Sequence, residues 1–169
     1  MKNDKAKKAA LYGMMVALAF TFSYLESLIP FNFGIPGVKL GLANLVVVTA
    51  LYIMDWRAAL PIAVIRIVLA GFTFGNTYSL MYSLAGGLLS FLVMALVKKT
   101  KLSVVGVSVL GGVTHNIGQI TVAAIVMGTA RIAYYLPVLL IAGTVTGFLI
   151  GIAAKLIIDR LGKIINSKQ

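Results

Sequence analysis

Arg66 stands inside the apolar run Ile62-Ala63-Val64-Ile65-Arg66-Ile67-Val68. A guanidinium buried there is costly unless it is paired or faces water, so it must point into the protein. Two roles are open for it: an anchor for an anionic ligand, or a structural partner of Glu26 or of backbone carbonyls. A second polar group lies in Gly111-Gly112-Val113-Thr114-His115-Asn116-Ile117-Gly118-Gln119. His115 and Gln119 are four residues apart and share one helix face, with Asn116 beside them. The glycines allow close approach of a neighbouring helix or a ligand. The bland alternative is a hydrogen-bonded packing histidine. A single histidine without Cys, His or carboxylate partners is no metal-ligand set, so no metal and no cofactor are expected.

A third candidate is Pro30-Phe31-Asn32-Phe33-Gly34-Ile35-Pro36-Gly37-Val38-Lys39-Leu40-Gly41-Leu42-Ala43-Asn44. Prolines and glycines make it ordered but hinged, as a lid over a pocket mouth would be, with Asn32, Lys39 and Asn44 as its polar contacts. The alternative is an ordinary connector with a snorkelling lysine. The segment Thr73-Phe74-Gly75-Asn76-Thr77-Tyr78 is a weaker second loop, contributing Asn76. Arg131, Tyr134 and Tyr135 serve equally well as interfacial anchors. Lys39, Arg66, His115 and Arg131 face a single acid, Glu26, which favours a ligand with negative charge and an apolar or aromatic body.

The elements that position these residues are membrane helices. Of 169 residues, 60% are apolar and 11% charged, with a mean hydropathy of +1.02. Soluble domains carry about 25% charged residues, so a water-soluble globular protein is excluded. Each spanning helix takes about 20 apolar residues. The breakers mark six runs, at about 9–28, 40–54, 58–74, 78–97, 102–127 and 132–158. The expectation is an all-α membrane protein, a six-transmembrane-helix bundle forming one domain over residues 1–169. The second and third runs are short, and Pro61 falls in the first turn of the third, where its missing N–H costs little. The basic start and Ala17-Leu18-Ala19 mimic a cleavable leader, but the apolar run continues past that site, so the first helix is expected to be retained.

With the N-terminus inside, Lys2, Lys5, Lys7, Lys8, Arg57, Lys98, Lys99, Lys101, Lys155, Arg160, Lys163 and Lys168 fall at cytoplasmic ends, twelve of the fifteen Lys and Arg. This positive-inside bias predicts that both termini are cytoplasmic. The net charge of +11 therefore reflects topology. Basic residues at helix ends rather than on one face do not suit nucleic acid.

The absences narrow function further. Cysteine is absent, and the four acids, Asp4, Glu26, Asp55 and Asp159, are scattered. Magnesium–diphosphate chemistry needs converging carboxylates. No P-loop motif and no internal repeat is present, which disfavours an autonomous pump or an enzyme. The first helix carries Ala9, Gly13 and Ala17, four apart, with Ala6 and Ala10 beside them. That small-residue stripe suits either internal packing or a partner helix.

The segment Pro36-Gly37-Val38-Lys39-Leu40-Gly41-Leu42-Ala43-Asn44, the Arg66 helix and the Gly111 to Gln119 stretch resemble the bacterial membrane family of heptaprenyl diphosphate synthase component I, also called the Gx transporter family. The resemblance extends over nearly the whole chain. That family is similar to the substrate-binding (S) subunits of energy-coupling factor (ECF) transporters. The resemblance implies a bacterial plasma-membrane protein with no enzymatic activity of its own. It would bind a vitamin or an isoprenoid- or quinone-related precursor from outside, with the first loop as lid. It would dock through Ala9, Gly13 and Ala17 on a membrane coupling subunit driven by two ATPases. The alternatives are a non-catalytic membrane subunit of a prenyl diphosphate synthase complex and a self-sufficient carrier or channel.

Overall fold

The computed structural model describes residues 2–29 and 40–166. They form six α-helices: α1 (Lys2–Leu28), α2 (Leu42–Ile53), α3 (Trp56–Thr73), α4 (Thr77–Val97), α5 (Val104–Met127) and α6 (Leu136–Asn166). A 3-10 turn over Ala130–Tyr135 precedes α6. No strand occurs among the described residues. Glu26 near the end of α1 meets Gly41 at the start of α2, and the connections from α2 to α6 are short, so successive helices alternate in direction and both chain ends lie at one end of the bundle, called the terminal end below. The opposite end, where α1, α3 and α5 finish, is called the distal end.

Five segments are long and apolar enough to cross a membrane: Lys5–Leu28, Trp56–Thr73, Thr77–Val97, Val104–Met127 and Ala130–Lys163. The chain is a multi-pass membrane protein. The second run departs from the expectation of a full span. Helix α2 has 12 residues, about 18 Å at 1.5 Å per residue, against a hydrocarbon core of about 30 Å. It is enclosed instead: Ala43 and all of 46–51 are buried, as a helix apolar on every side requires.

Three other boundaries differ from the sequence reading. Helix α1 runs back through the basic segment to Lys2, because lysines are good helix formers once a membrane helix nucleates them. Helix α6 starts at Leu136 rather than 132 and extends to Asn166. The six residues before it take the tighter 3-10 form, led by Thr129, whose Oγ1 accepts from Arg131 N at 3.3 Å. Pro61 lies in the second turn of α3, not the first, since α3 begins at Trp56. The carbonyl that loses its donor is that of Arg57, at the exposed end of the helix where Arg57 lies over the Trp56 ring at 5.6 Å.

The helices close into a ring. α1 packs on α3, α3 on α4, α4 on α5, α5 on α6, and α6 on α2, which returns to α1 and α3. Lipid gives no hydrophobic drive for helix association, so close packing of small residues has to supply it. Helix α5 has glycines on two faces. A Cβ on Gly118 would lie 2.9 Å from Ala85 O of α4. On the other face, Gly112 abuts Gly143 of α6. Gly143, Gly147 and Gly151 repeat every four residues along α6, and all three lie against the backbone or Asn116 and Ser108 side chains of α5.

The terminal half is a dense apolar plug. It contains Met15 and Ala19 of α1, residues 46–48, 50 and 51 of α2, Ile62 of α3, Phe91 and Met94 of α4, Val107 of α5 and Ala154 of α6. Lys98 closes it, donating Nζ to Leu51 O at 2.6 Å and lying 5.1 Å from the Tyr52 ring centroid. A cation at the carbonyl end of α2 also complements the helix dipole.

Two substitutions test this packing, both read as thermal unfolding in a fixed detergent. A Cβ at Gly147 would sit 2.8 Å from Ser108 O and Val109 Cα, both backbone. Gly147→Val is therefore expected to destabilise by at least about 2 kcal/mol. Asp55, between α2 and α3, is held at φ 95°, ψ 160°, a region confined almost wholly to glycine. Asp55→Gly should stabilise by about 1 kcal/mol.

Candidate functional site

The distal half encloses two cavities that meet at one wall. The smaller, about 70 Å³, is lined from all six helices, including Glu26, Asn44, Arg66, His115, Asn116 and Thr146. The larger, about 250 Å³, lies among α1, α3 and α4 and includes Ser23, Ser27, Gly71, Phe74 and Ser79. Glu26, Arg66, Ile67 and Ser83 line both.

Arg66 is the centre of that shared wall. It comes from the middle of α3, flanked by the buried Ile67 and Ala63. Its Nε is buried without a hydrogen-bond partner. Glu26 is within electrostatic reach, and its Oε1 accepts from Gly41 N at 2.6 Å. Gly41 has φ +76°, a left-handed conformation that glycine adopts without penalty, and it supplies no side chain to cap α2. Glu26 therefore places a carboxylate from α1 at the N-terminus of α2, where the helix dipole favours negative charge. The Arg66 guanidinium lines both cavities beside it.

Of the residues singled out in the sequence, Asn44, Arg66, His115 and Asn116 come together around the smaller cavity. Asn116 is oriented by donating Nδ2 to Leu139 O of α6 at 2.6 Å, which leaves its side-chain oxygen as an acceptor. Gln119 is buried but lines neither cavity. Its Cγ packs at the α4–α5 crossing, where a Cβ on Gly86 would meet it at 2.7 Å and His115 Cε1 at 3.2 Å. The two side chains do share a face, but that face is directed at Gly86. Asn76 is an N-cap: its Oδ1 accepts from Ser79 N at 2.8 Å to start α4, and it lines neither cavity. Asn32 and Lys39, with the expected lid, lie outside the described residues. Arg131, Tyr134 and Tyr135 are exposed on the 3-10 turn and away from both cavities.

Several lining residues gave no sequence signal. Ser23, Ser27, Ser83 and Thr146 are ordinary helical hydroxyls in isolation. Ser23 donates to Ala19 O at 3.0 Å and Ser27 to Tyr24 O at 2.7 Å. Thr146 donates to Ala142 O at 2.9 Å. With their hydrogens directed to the backbone, these groups present lone pairs to the cavities. Phe74 closes the larger cavity beside Phe20 and Tyr24, with ring centroids 5.7 and 5.8 Å away. The spacing of Gly143, Gly147 and Gly151 on α6 is the sequence signal of the α5–α6 contact.

The small-residue stripe of α1 faces outward. Ala9, Gly13 and Ala17 are exposed, whereas Met15, Ala19 and Ser23, on the opposite side, are buried. A Cβ on Gly13 would meet nothing within 4 Å. Internal packing therefore does not account for the stripe.

A family model described as heptaprenyl diphosphate synthase component I matches residues 15–157, and the chain belongs to that family. No curated protein and no solved structure matches it.

The Glu26 anchor can be tested apart from any ligand. Glu26→Gln retains an oxygen for Gly41 N, whereas Glu26→Ala leaves that N–H without its acceptor. Thermal unfolding should therefore show Glu26→Ala about 1–2 kcal/mol less stable than Glu26→Gln.

Proposed function

We propose that this family member is the substrate-binding subunit of an ECF-type importer, taking a small ligand with an anionic group from outside the cell. The observation that carries the reading is the division of the bundle. Its polar cavities lie from the middle of the bundle toward the distal end, and the buried apolar core fills the terminal half. A carrier that alternates access by itself needs a route past the midplane site to both sides. Here Leu51, Ile62, Met94 and Val107, each at most 1% exposed, occupy that route. Such a bundle captures cargo but requires another machine to release it on the far side.

The terminal end holds most of the lysines and arginines. By the positive-inside rule it is the cytoplasmic end, and the cavities face outward across a bacterial plasma membrane. Arg66, with a buried and unpartnered Nε, is the anchor for the anionic group. Asn44, His115 and Asn116 surround it. The outward stripe Ala9, Gly13 and Ala17 offers the smooth surface that close docking on a coupling subunit needs. Two ATPases bound to that subunit would supply the energy.

The family description favours a second reading, a non-catalytic membrane subunit of a prenyl diphosphate synthase. Of the acids among the described residues, only Glu26 lines either cavity. Diphosphate chemistry would thus have to reside on a partner.

Co-purification from membranes separates the two. The chain, wild type or Gly13→Leu, is co-expressed with a coupling subunit and its ATPases. Wild type should retain the module, and Gly13→Leu should lower recovery about tenfold, the effect of losing 1–2 kcal/mol of close helix packing. Its unfolding temperature should not change, since position 13 touches nothing within the chain. Recovery of a soluble prenyltransferase instead, with synthase activity dependent on this chain, would establish the second reading.

A further inference from the structure

The two cavities share walls of opposite chemistry on α1 and α3, and that restricts what fits between them. On α3, Arg66 presents a cation that can only donate. On α1, Ser23, Glu26 and Ser27 lie at spacings of three and four and line one face of the larger cavity. Both hydroxyls there donate to their own helix, so they offer acceptor lone pairs. Glu26 as a carboxylate is acceptor-only, with capacity beyond its bond to Gly41. One wall therefore selects a negative group, and the other selects a donor-rich or positive one.

We infer that the ligand is a compact zwitterion, with its carboxylate or similar anion at Arg66 and its amine toward the Ser23–Glu26–Ser27 face. This rests on the ligand-binding part of the reading above and specifies its substrate class. Charge balance supports it: among the described lining residues the cavities hold Arg66 and Glu26 as one cation and one carboxylate. A zwitterion pairs with both, whereas a diphosphate would meet a single guanidinium and be repelled by Glu26. Buried charge without a partner is strongly unfavourable. The larger cavity, about 250 Å³, suits a compact ligand.

The full chain in lipid nanodiscs can be titrated with ω-amino acids from β-alanine to 6-aminohexanoate. Each is compared with the carboxylate and the amine of matched length, and with farnesyl diphosphate, using the shift in unfolding temperature. At least one ω-amino acid should bind about tenfold more tightly than either of its matched halves. Glu26→Gln, which keeps the Gly41 contact, should reduce that ω-amino acid to the affinity of its matched carboxylate without weakening the carboxylate. Arg66→Gln should abolish binding of both, and Arg66→Lys should restore part of it. The proposal is overturned if no ω-amino acid exceeds its matched carboxylate, if Glu26→Gln changes nothing, or if farnesyl diphosphate binds most tightly. Failure of the ω-amino acids alongside Gly13-dependent recovery of the coupling module would remove the ligand class and leave the transport reading standing.

Discussion

In a bilayer, helices gain nothing by hiding apolar side chains from one another, because the lipid is as apolar as they are. What holds this bundle together is the close approach of backbones where side chains are missing. Helix α5 is placed by that constraint: glycines on its two faces bring it against α4 at Gly86 and against α6 at Gly143 and Gly147. The same approach sets the position of His115 and Asn116, which lie on the α5 turns between these contacts. Asn116 then ties α5 to α6 a second time through Leu139 O. The shape of the distal chamber follows from how near α5 can come to its neighbours.

Helix α2 meets the opposite constraint. It is too short to span the core, it is apolar on every side, and it is surrounded by α1, α3 and α6. Its C-terminal half fills the terminal end of the bundle, and its N-terminus opens into the smaller cavity. One short element therefore both seals one half and leaves room in the other. Its two ends are held by groups from elsewhere in the chain, the carboxylate of Glu26 at Gly41 and the ammonium of Lys98 at Leu51. Each charge has the sign that the adjoining helix dipole favours. Arg66 and Glu26 line the same cavities, and the buried Arg66 Nε has no hydrogen-bond partner.

Much of the fold was legible from elementary physics. Apolar runs longer than a bilayer is thick, broken by charged or glycine-rich turns, become helices almost irrespective of context, because unpaired backbone groups are intolerable in lipid. Polar residues within such runs stand out, and Asn44, Arg66, His115 and Asn116 converge for that reason. An asparagine before a helix serves equally well as cap or as ligand contact, and at Asn76 the bond from Ser79 N shows the cap. The serines of the larger cavity were invisible, since a helical Ser bonded to its own backbone carries no pattern.

Composition, run length and charge placement by themselves determined that this is a helical membrane protein with most of its cations at the ends of its helices. Tertiary structure alone decided what each face meets. Ala9, Gly13 and Ala17 on α1 and Gly143, Gly147 and Gly151 on α6 repeat with the same spacing of four. The first set is exposed and the second is buried against α5. Spacing fixes which residues share a face of a helix, because the helical repeat is a local property of the backbone. What covers that face depends on the order in which six helices close their ring, and no local repeat encodes that order.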